Sequence, residues 1–220
     1  FLHSPRRYLQ AMRFRESHGS AEELEELKAY FRGKRVALVG PAASFQGLGY
    51  GPEIDAHDVV ARVNSGVFPD PGFSADYGSR LDVLFSVLNS FNIMMLSHIR
   101  KDWEHSKFLV GVGTQDSDLI EFVPRFGSLS SPRTHILSRN WFKSMSTSQL
   151  DRPNTGISVI RFLLETELQA LDVYGFDFYE SGYHRYLEDL LVKMEREKPK
   201  VPADIRGDLR SKLVMASRWH

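Results

Sequence analysis

The sequence has no cysteine among its 220 residues, so no disulfide can cross-link the fold. Disulfides are features of oxidising compartments, and their absence favours a reducing one. No apolar run reaches the length of a membrane-spanning helix, and no signal peptide is apparent. The core must therefore come from apolar packing within a chain long enough to form one sizeable domain.

The sequence also lacks an excess of charge of either sign. It carries 28 Lys and Arg against 28 Asp and Glu, which gives a formal net charge of zero. A protein that binds nucleic acid or another polyanion over a broad surface usually has a basic excess. We therefore expect no nucleic-acid partner, although a local basic pocket for a phosphate group remains compatible with this balance.

Two common nucleotide-binding signatures are absent as well. The chain has no Gly-x-Gly-x-x-Gly turn of the dinucleotide-binding type, and no Gly-Lys-Ser/Thr follows a glycine-rich loop. Bound NAD or ATP is therefore not the first expectation. The histidines show no metal-ligand spacing, so no metal site is predicted.

The chain contains alternating apolar β-branched runs and helical patterns, which predict an α/β fold with a mostly parallel, Rossmann-like sheet flanked by helices. Residues 1–33 read as an N-terminal helical segment and residues 34–220 as the single Rossmann-like domain. Strands are predicted at 35–39, 58–63, 81–88, 108–112, within 130–137 and at 171–175, and helices at 5–14, 20–31, 91–103, 139–145 and 157–169.

The central element of the chain is the stretch from Lys34 to Asn64. A short buried strand leads into a turn of small residues from Gly40 to Ser44, where backbone N–H groups can come close to a ligand. The next strand ends at Asn64. Ligands of open α/β sheets bind at the carboxyl ends of strands, so Gly40, Ser44 and Asn64 are candidates for one binding pocket.

A second candidate segment begins at Arg152 and leads into the helix predicted from residue 157. Thr155 and Gly156 fall at the N-terminus of that helix, where free N–H groups and the helix dipole favour an anion. The strand that follows this helix ends near Gly175, so its carboxyl end is a further place for ligand-binding residues.

These segments resemble the sialyl motifs of glycosyltransferase family 29. The resemblance covers about half of the chain, and the order and separation of the blocks fit that family. The long motif is matched by Gly40 to Ser44, Gly51, Ile54-Asp55, His57 to Val60, Arg62, Asn64 and Asp76-Tyr77-Gly78-Ser79-Arg80, and the short motif by Asn154-Thr155-Gly156 and Leu171 to Phe176.

The segment after the last strand is rich in tyrosine and also contains His184. It resembles the third sialyl motif and the matching segment of the bacterial sialyltransferases of glycosyltransferase family 42, in which two tyrosines hold the phosphate of the cytidine nucleotide. That resemblance implies this role for Tyr179 and Tyr183, and it implies a phosphate-binding role for Arg152. Tyrosine hydroxyls and an imidazole can stabilise a phosphate that leaves with extra charge.

Both families use a later histidine as general base. The alternatives in this chain are His220, the last residue, and His184, and the sequence leaves the choice open. The chain also departs from the families in the first turn, where they place asparagine and this sequence has Pro41-Ala42-Ala43. A contact to the cytidine or phosphate is then lost or comes from the backbone.

The resemblance implies an inverting, metal-independent glycosyltransferase of the GT-A-like sialyltransferase type. It would transfer an acidic sugar, sialic acid or a Kdo-like sugar, from a CMP-sugar donor to a glycan or glycolipid, with no cofactor besides this co-substrate. The alternative is a catalytically inactive nucleotide-binding or scaffold module. Animal members of family 29 carry a disulfide between the motifs, so the lack of cysteine predicts a microbial-type enzyme in the cytoplasm or peripheral to the inner membrane, not in the Golgi lumen. Contact with a membrane surface is left open.

Overall fold

The computed structural model describes residues 4–64, 72–145, 154–177, 180–181 and 192. These residues alternate between helices and strands, as predicted. The strands are β1 (Arg35–Val39), β2 (Val59–Val63), β3 (Val83–Ser86), β4 (Phe108–Gly111), β5 (Arg133–Ile136) and β6 (Ala170–Tyr174). The helices are α1 (Pro5–His18), α2 (Ala21–Phe31), α3 (Gly51–Asp55), α4 (Ser74–Tyr77), α5 (Ser90–His98), α6 (Arg100–Trp103), α7 (Asp116–Phe126), α8 (Arg139–Lys143) and α9 (Thr155–Leu164), with one 3-10 turn at Ala43–Phe45.

The six strands form one parallel sheet in the order β5-β4-β3-β2-β1-β6. The chain moves outward from β1 to β5 in one direction and then returns to place β6 on the other side of β1. The strand order therefore reverses between β1 and β6, and open α/β sheets bind ligands at such a switch point. The predicted Rossmann-like fold is confirmed.

Apolar side chains fill both faces of the sheet, which explains why the central strands lack polar–apolar alternation. On one face, Val36 and Leu38 of β1 pack with Leu27 and Phe31 of α2 and with residues of α9, such as Phe162. On the other face, Ala37 and Val39 of β1 pack with a smaller cluster, whose other buried members are Ile54, Val60, Tyr77 and Tyr174. The strand next to the switch point is thereby fixed from both sides.

Several helices differ from the sequence prediction: α1 continues to His18, α9 spans Thr155–Leu164 instead of 157–169, and α4 was not predicted. Two further differences have a clear physical reason. The single helix expected over 91–103 is divided at Ile99 into α5 and α6, because buried Trp103 turns back and donates its indole N–H to the carbonyl oxygen of Leu96 at 2.8 Å. Helix α7 was not predicted at all. Its sequence contains Pro124, which lies in the last turn of the helix and so ends the run without breaking its interior.

The two N-terminal helices pack on the sheet domain. In α1 the buried residues are Ala11 and Phe14, and this helix lies against α7 and β5. Ser20 caps α2 by accepting a hydrogen bond from the N–H of Glu23 at 3.2 Å. Within the described part of the chain, every helix is too short or too polar to span a bilayer.

Candidate functional site

The turn after β1 lies directly against the segment that follows β6. The N–H of Gly40 donates to the carbonyl oxygen of Tyr174 at 2.8 Å, and the N–H of Ala42 donates to that of Gly175 at 3.0 Å. A Cβ atom at Gly40 would overlap the carbonyl oxygen of Gly175. The close approach of the two backbones therefore requires glycine at position 40.

Phe176 is the point at which three segments of the chain meet. A Cβ added to Gly40 would lie 2.7 Å from one side of the Phe176 ring, and a Cβ added to Gly156 would lie 2.5 Å from Cε1 of the same ring. The ring thus lies between the turn after β1 and the first turn of α9. The structure brings two predicted site residues, Gly40 and Gly156, to the same aromatic side chain.

The first turn of α9 is capped by Asn154, the residue that precedes the helix. The side-chain oxygen of Asn154 accepts a hydrogen bond from the N–H of Ile157 at 2.9 Å. Thr155 is half-buried and Gly156 is buried, both in the first turn of the helix. Because the first N–H groups of a helix have no partner within the helix, this terminus has the geometry of an anion site beside Phe176.

Ser44 takes part in a hydrogen-bonded cluster with Asp177 and Ser181, which the sequence interpretation missed. The Ser44 hydroxyl donates to Oδ2 of Asp177 at 2.8 Å, and the Ser44 N–H donates to the Ser181 hydroxyl oxygen at 2.8 Å. Ser181 donates to the same carboxylate through its N–H at 3.1 Å and through its hydroxyl. No local sequence pattern predicts this cluster, because Ser44 and Asp177 are 133 positions apart in the chain.

Asn64 lies at the same edge of the sheet but bonds toward β3. Its N–H donates to the carbonyl oxygen of Phe85 at 2.7 Å, and its side-chain oxygen accepts from the N–H of Val87 at 3.2 Å. Its φ angle is 55°, a left-handed conformation that asparagine tolerates better than most residues. Strained backbone of this kind concentrates at functional sites. The register Val39↔Arg62 places Asn64 beside the turn that follows β1.

Arg62, just before Asn64, is a fully buried arginine that holds the loop after α4. Its Nη2 donates to the carbonyl oxygens of Tyr77 and Gly78 at 2.8 and 3.0 Å, and its Nε donates to that of Arg80 at 2.8 Å. Burial lowers the pKa of the guanidinium to about 10, against the raising effect of Asp55 and Asp82. Arg62 therefore remains charged at neutral pH and fixes three backbone carbonyls.

Asp55 secures the same loop from α3. Its carboxylate accepts hydrogen bonds from the N–H and hydroxyl of Ser79 and from the N–H of Arg80, at 2.8 to 3.0 Å. Burial tends to raise the pKa of this carboxyl, but the hydrogen bonds and the charge of Arg62 outweigh burial and lower it. This part of the long motif thus has a clear structural role.

His57 orders the turn that leads from α3 into β2. Its Nδ1 lies 2.9 Å from the carbonyl oxygen of Glu53, and its Nε2 lies 2.8 Å from Oδ2 of Asp172 on β6. The imidazole is buried and connects α3 to the edge strand beside the switch point.

The carboxyl ends of the six strands form one edge of the sheet, called the carboxyl edge below. Its β4–β5 end carries an Asp-x-Asp pattern, Asp116-Ser117-Asp118, which the sequence interpretation overlooked. Asp116 forms ion pairs with Arg15 at 2.9 Å and with Arg139 at 2.8 Å. Asp118 accepts a hydrogen bond from the N–H of Gln115 at 2.7 Å and completes the cap of α7. Both carboxylates are thus engaged by protein groups, and the described residues contain no cluster of three or more metal-ligating side chains.

Five of the predicted site residues cannot be placed against this geometry. Arg152, Tyr179, Tyr183, His184 and His220 lie outside the described residues. Their roles stay predictions from the sequence.

Comparison with protein families identifies the long-motif region directly. The model of glycosyltransferase family 29 (sialyltransferase) matches residues 17–131. Among curated proteins, the chain is 27% identical over 230 residues to the CMP-N-acetylneuraminate-beta-galactosamide-alpha-2,3-sialyltransferase 2 of Mus musculus, with 92% of this chain and 64% of the mouse protein covered. It is 28% identical over 168 residues to the CMP-N-acetylneuraminate-beta-galactosamide-alpha-2,3-sialyltransferase 1 of Mus musculus, with 71% of this chain and 49% of that protein covered.

A solved structure gives the same result for the fold. The crystal structure of a mammalian sialyltransferase matches with a TM-score of 0.55 at 22% identity, covering 97% of this chain and 78% of that one. The chain spans less than two thirds of the length of the curated relatives described above. Because these relatives are named as enzymes, the alternative of an inactive nucleotide-binding module is not favoured.

The predicted location is wrong. The relatives are animal Golgi sialyltransferases, which are lumenal proteins of the secretory pathway, and not microbial or cytoplasmic ones. The prediction treated the absence of cysteine as evidence for a reducing compartment. Lack of cysteine excludes a disulfide but does not determine where a protein resides, because a packed apolar core can hold the fold without one.

Proposed function

Because the chain belongs to glycosyltransferase family 29, the sialyltransferase family, we propose that it transfers sialic acid from CMP-sialic acid to a hydroxyl group of a glycan. The observation that carries this proposal is the meeting of the two motif segments at the switch point of the sheet. Gly40 and Gly156 lie on the two sides of Phe176, where β1, β6 and α9 converge. Ligands of open α/β sheets bind at such a place.

The nucleotide occupies the carboxyl edge around this point. Gly40 lets the turn that ends at Ser44 lie close to the segment after β6. The first turn of α9, with Thr155 and Gly156, offers a helix N-terminus to the phosphate. Asn64, held in its left-handed conformation beside that turn, supplies a side-chain amide to the cytidine part. Arg152, Tyr179 and Tyr183 bind the phosphate by their match to the family motifs.

The reaction is a single displacement with inversion. The acceptor oxygen attacks the anomeric carbon of the sugar, the bond from that carbon to the phosphate oxygen breaks, and CMP leaves with the bonding electron pair. A neutral histidine takes the proton of the acceptor hydroxyl. His220 and His184 are the candidates for this base. If His220 is the base, His184 stabilises the departing phosphate together with Tyr179 and Tyr183. The chemistry needs no metal, because these donors neutralise the leaving group.

The names of the relatives suggest the acceptor and the linkage. Both mouse proteins are named as α-2,3-sialyltransferases that act on a β-galactosamide. By their likeness we propose a terminal β-linked galactose as the acceptor and its 3-hydroxyl as the attacking group.

The test is an assay of transfer with two donors. The chain is incubated with CMP-sialic acid or CMP-Kdo, with and without a β-galactoside, and both CMP release and the glycan product are measured. We expect product only with CMP-sialic acid and an acceptor, and product formation that persists in EDTA. Absence of CMP release with either donor would contradict the proposed activity, and restoration by magnesium after EDTA treatment would contradict metal independence.

Variants of the two histidines separate their roles. Loss of the base in His220→Ala or His184→Ala should lower transfer about 10²- to 10⁴-fold while CMP binding is retained. If His184 stabilises the leaving phosphate, His184→Ala should also slow hydrolysis of the donor, because hydrolysis breaks the same bond. Parental transfer rates in both variants would remove histidine from the proposed mechanism.

A further inference from the structure

The turn after β1 is supported from beneath by the side chain of Tyr77. The Tyr77 hydroxyl donates a hydrogen bond of 2.7 Å to the carbonyl oxygen of Ala42, in the middle of the turn. Both residues are buried, with 3% and 4% of their surface exposed. Loss of a hydrogen bond to a buried carbonyl lowers the stability of the fold, so this bond helps to fix the height of the turn above the sheet.

The position of the Tyr77 hydroxyl is itself fixed. Its backbone carbonyl accepts from the buried Arg62 guanidinium, and the residues after it are held by Asp55. Its ring packs against Phe45 and Phe73, at centroid distances of 5.6 and 6.2 Å. The hydroxyl therefore has little freedom to move away from Ala42.

The contact reaches the proposed nucleotide site through the backbone of the turn. Ala42 donates its own N–H to Gly175, next to Phe176, and its carbonyl oxygen also accepts from the N–H of Phe45 at 3.3 Å. A shift of Ala42 would thus move the turn relative to both β6 and the 3-10 turn that contains Ser44. Burial raises the pKa of Tyr77, and the nearby carboxylates of Asp76 and Asp177 raise it further, so the phenol stays protonated and remains a donor.

We propose that Tyr77 is a positioning residue for nucleotide binding, which acts by holding the turn from Gly40 to Ser44 at the height that the nucleotide requires. The proposal rests on the function proposed above for this site. Tyr77 touches neither the nucleotide nor the reacting atoms in this account. Its effect on binding passes through the carbonyl oxygen of Ala42.

Tyr174 provides a matched control in the same aromatic cluster. It is 7% exposed, its ring lies 5.9 Å from that of Phe45, and its hydroxyl donates to Oε1 of Glu53 on α3 at 2.8 Å. Tyr174→Phe and Tyr77→Phe each remove one buried hydroxyl and keep the ring. Only the Tyr77 hydroxyl contacts the turn.

The experiment measures CMP affinity by calorimetry, thermal stability, and amide hydrogen exchange of peptides spanning residues 40–46 in the parent and both variants. We expect both variants to lose similar stability. Tyr77→Phe alone should weaken CMP binding, by about fivefold as estimated for one neutral hydrogen bond, and should alone speed exchange in the turn. With a donor and acceptor, KM for the donor should rise while kcat stays unchanged.

Two results would overturn the proposal. One is parental CMP affinity and turn exchange in Tyr77→Phe, which would make the hydroxyl purely structural. The other is an equal loss of affinity in both variants, which would make affinity follow general stability. If the parent itself does not bind CMP, the proposed function fails, and the exchange of residues 40–46 still decides whether Tyr77 holds the turn.

Discussion

The two ends of the carboxyl edge of the sheet differ in how their polar groups are used. At the β4–β5 end, Asp116 pairs with both Arg15 and Arg139, and Asp118 caps its own helix. At the β1–β6 switch point, glycines bring backbone segments close together around Phe176. Among the described residues, the charges of the β4–β5 end are paired with one another, whereas at the switch point the first N–H groups of α9 lie beside Phe176. Close backbone approach therefore identifies the candidate site better than charge density or an Asp-x-Asp pattern does.

The largest expected difference between the two ends concerns their buried arginines. Arg62→Met should destabilise the fold by about 3–5 kcal/mol, because three backbone carbonyls lose a fully buried charged donor. Arg15→Met should cost less, since this half-buried arginine donates to one carbonyl oxygen, that of Thr114, at 2.8 Å. Asp116 keeps its pair with Arg139. Urea denaturation measures both. Equal losses would show that the loop held by Arg62 is no more dependent on its arginine than the β4–β5 end.

The next largest effect on stability and CMP affinity is expected when one glycine at each end is replaced by alanine. Gly40→Ala should cost about 3 kcal/mol and reduce CMP affinity, because the new Cβ would overlap backbone that cannot move aside. Gly113→Ala, at the β4–β5 end, has a φ of 63° and a flexible Phe142 ring as its neighbour, so it should cost about 1 kcal/mol and leave CMP affinity unchanged. Thermal melts and calorimetric titration distinguish the two. A Gly40→Ala variant that binds CMP normally would argue against close approach at this turn.

Polar groups at the two ends should differ in their effect on nucleotide binding. Asn64→Ala and Thr155→Val should each weaken CMP binding by about tenfold, the effect of a lost polar contact to a bound ligand. Gln115→Ala removes the side chain that caps α7 and should lower stability slightly without changing CMP affinity. Unchanged affinity in the first two variants, or reduced affinity in the third, would place the nucleotide elsewhere.

The smallest expected effect is a pH dependence at β5. Burial lowers the pKa of His135, against the raising effect of Glu23 and Glu26 on α2, while Arg133 and His18 lower it further. The folded state therefore binds this proton less readily than the unfolded chain, whose histidine pKa is about 6.5. Stability should be full above that value and fall as pH decreases below it, by about 1 kcal/mol or less per pH unit. Replacing His135 by Gln should flatten this part of the curve, and an unchanged slope would exclude His135 as its source.

The parts of the structure that the sequence predicted are those encoded by local pattern. Strands β1 and β2 consist of valine, alanine and leucine apart from one arginine each, Arg35 and Arg62. The predicted start of α9 at residue 157 lies two residues after the observed one. The sequence interpretation included Phe176 only as part of the short motif and predicted no role for it at the site. Its role depends on two glycines from distant segments, which no local pattern can show.

The parts that escaped prediction depend on contacts between distant residues or on a misleading local signal. The bonds from Ser44 to Asp177 and from Tyr77 to Ala42 join segments that are 133 and 35 positions apart, so no neighbour in sequence reveals the partner. A proline within a helical pattern usually marks its end, and α7, which was not predicted, contains Pro124 in its last turn. The division of the predicted helix at Ile99 follows from the burial of Trp103, a tertiary effect.

The central claim is that CMP binds at the β1–β6 switch point. Amide hydrogen exchange of the chain with and without saturating CMP tests it most directly, because peptides from both ends of the edge are followed in one experiment. The account predicts slower exchange at residues 40–45, 154–157 and 175–177 on addition of CMP, with no change at residues 113–118. Protection confined to 113–118, or no protection at either end despite measurable binding, would contradict it.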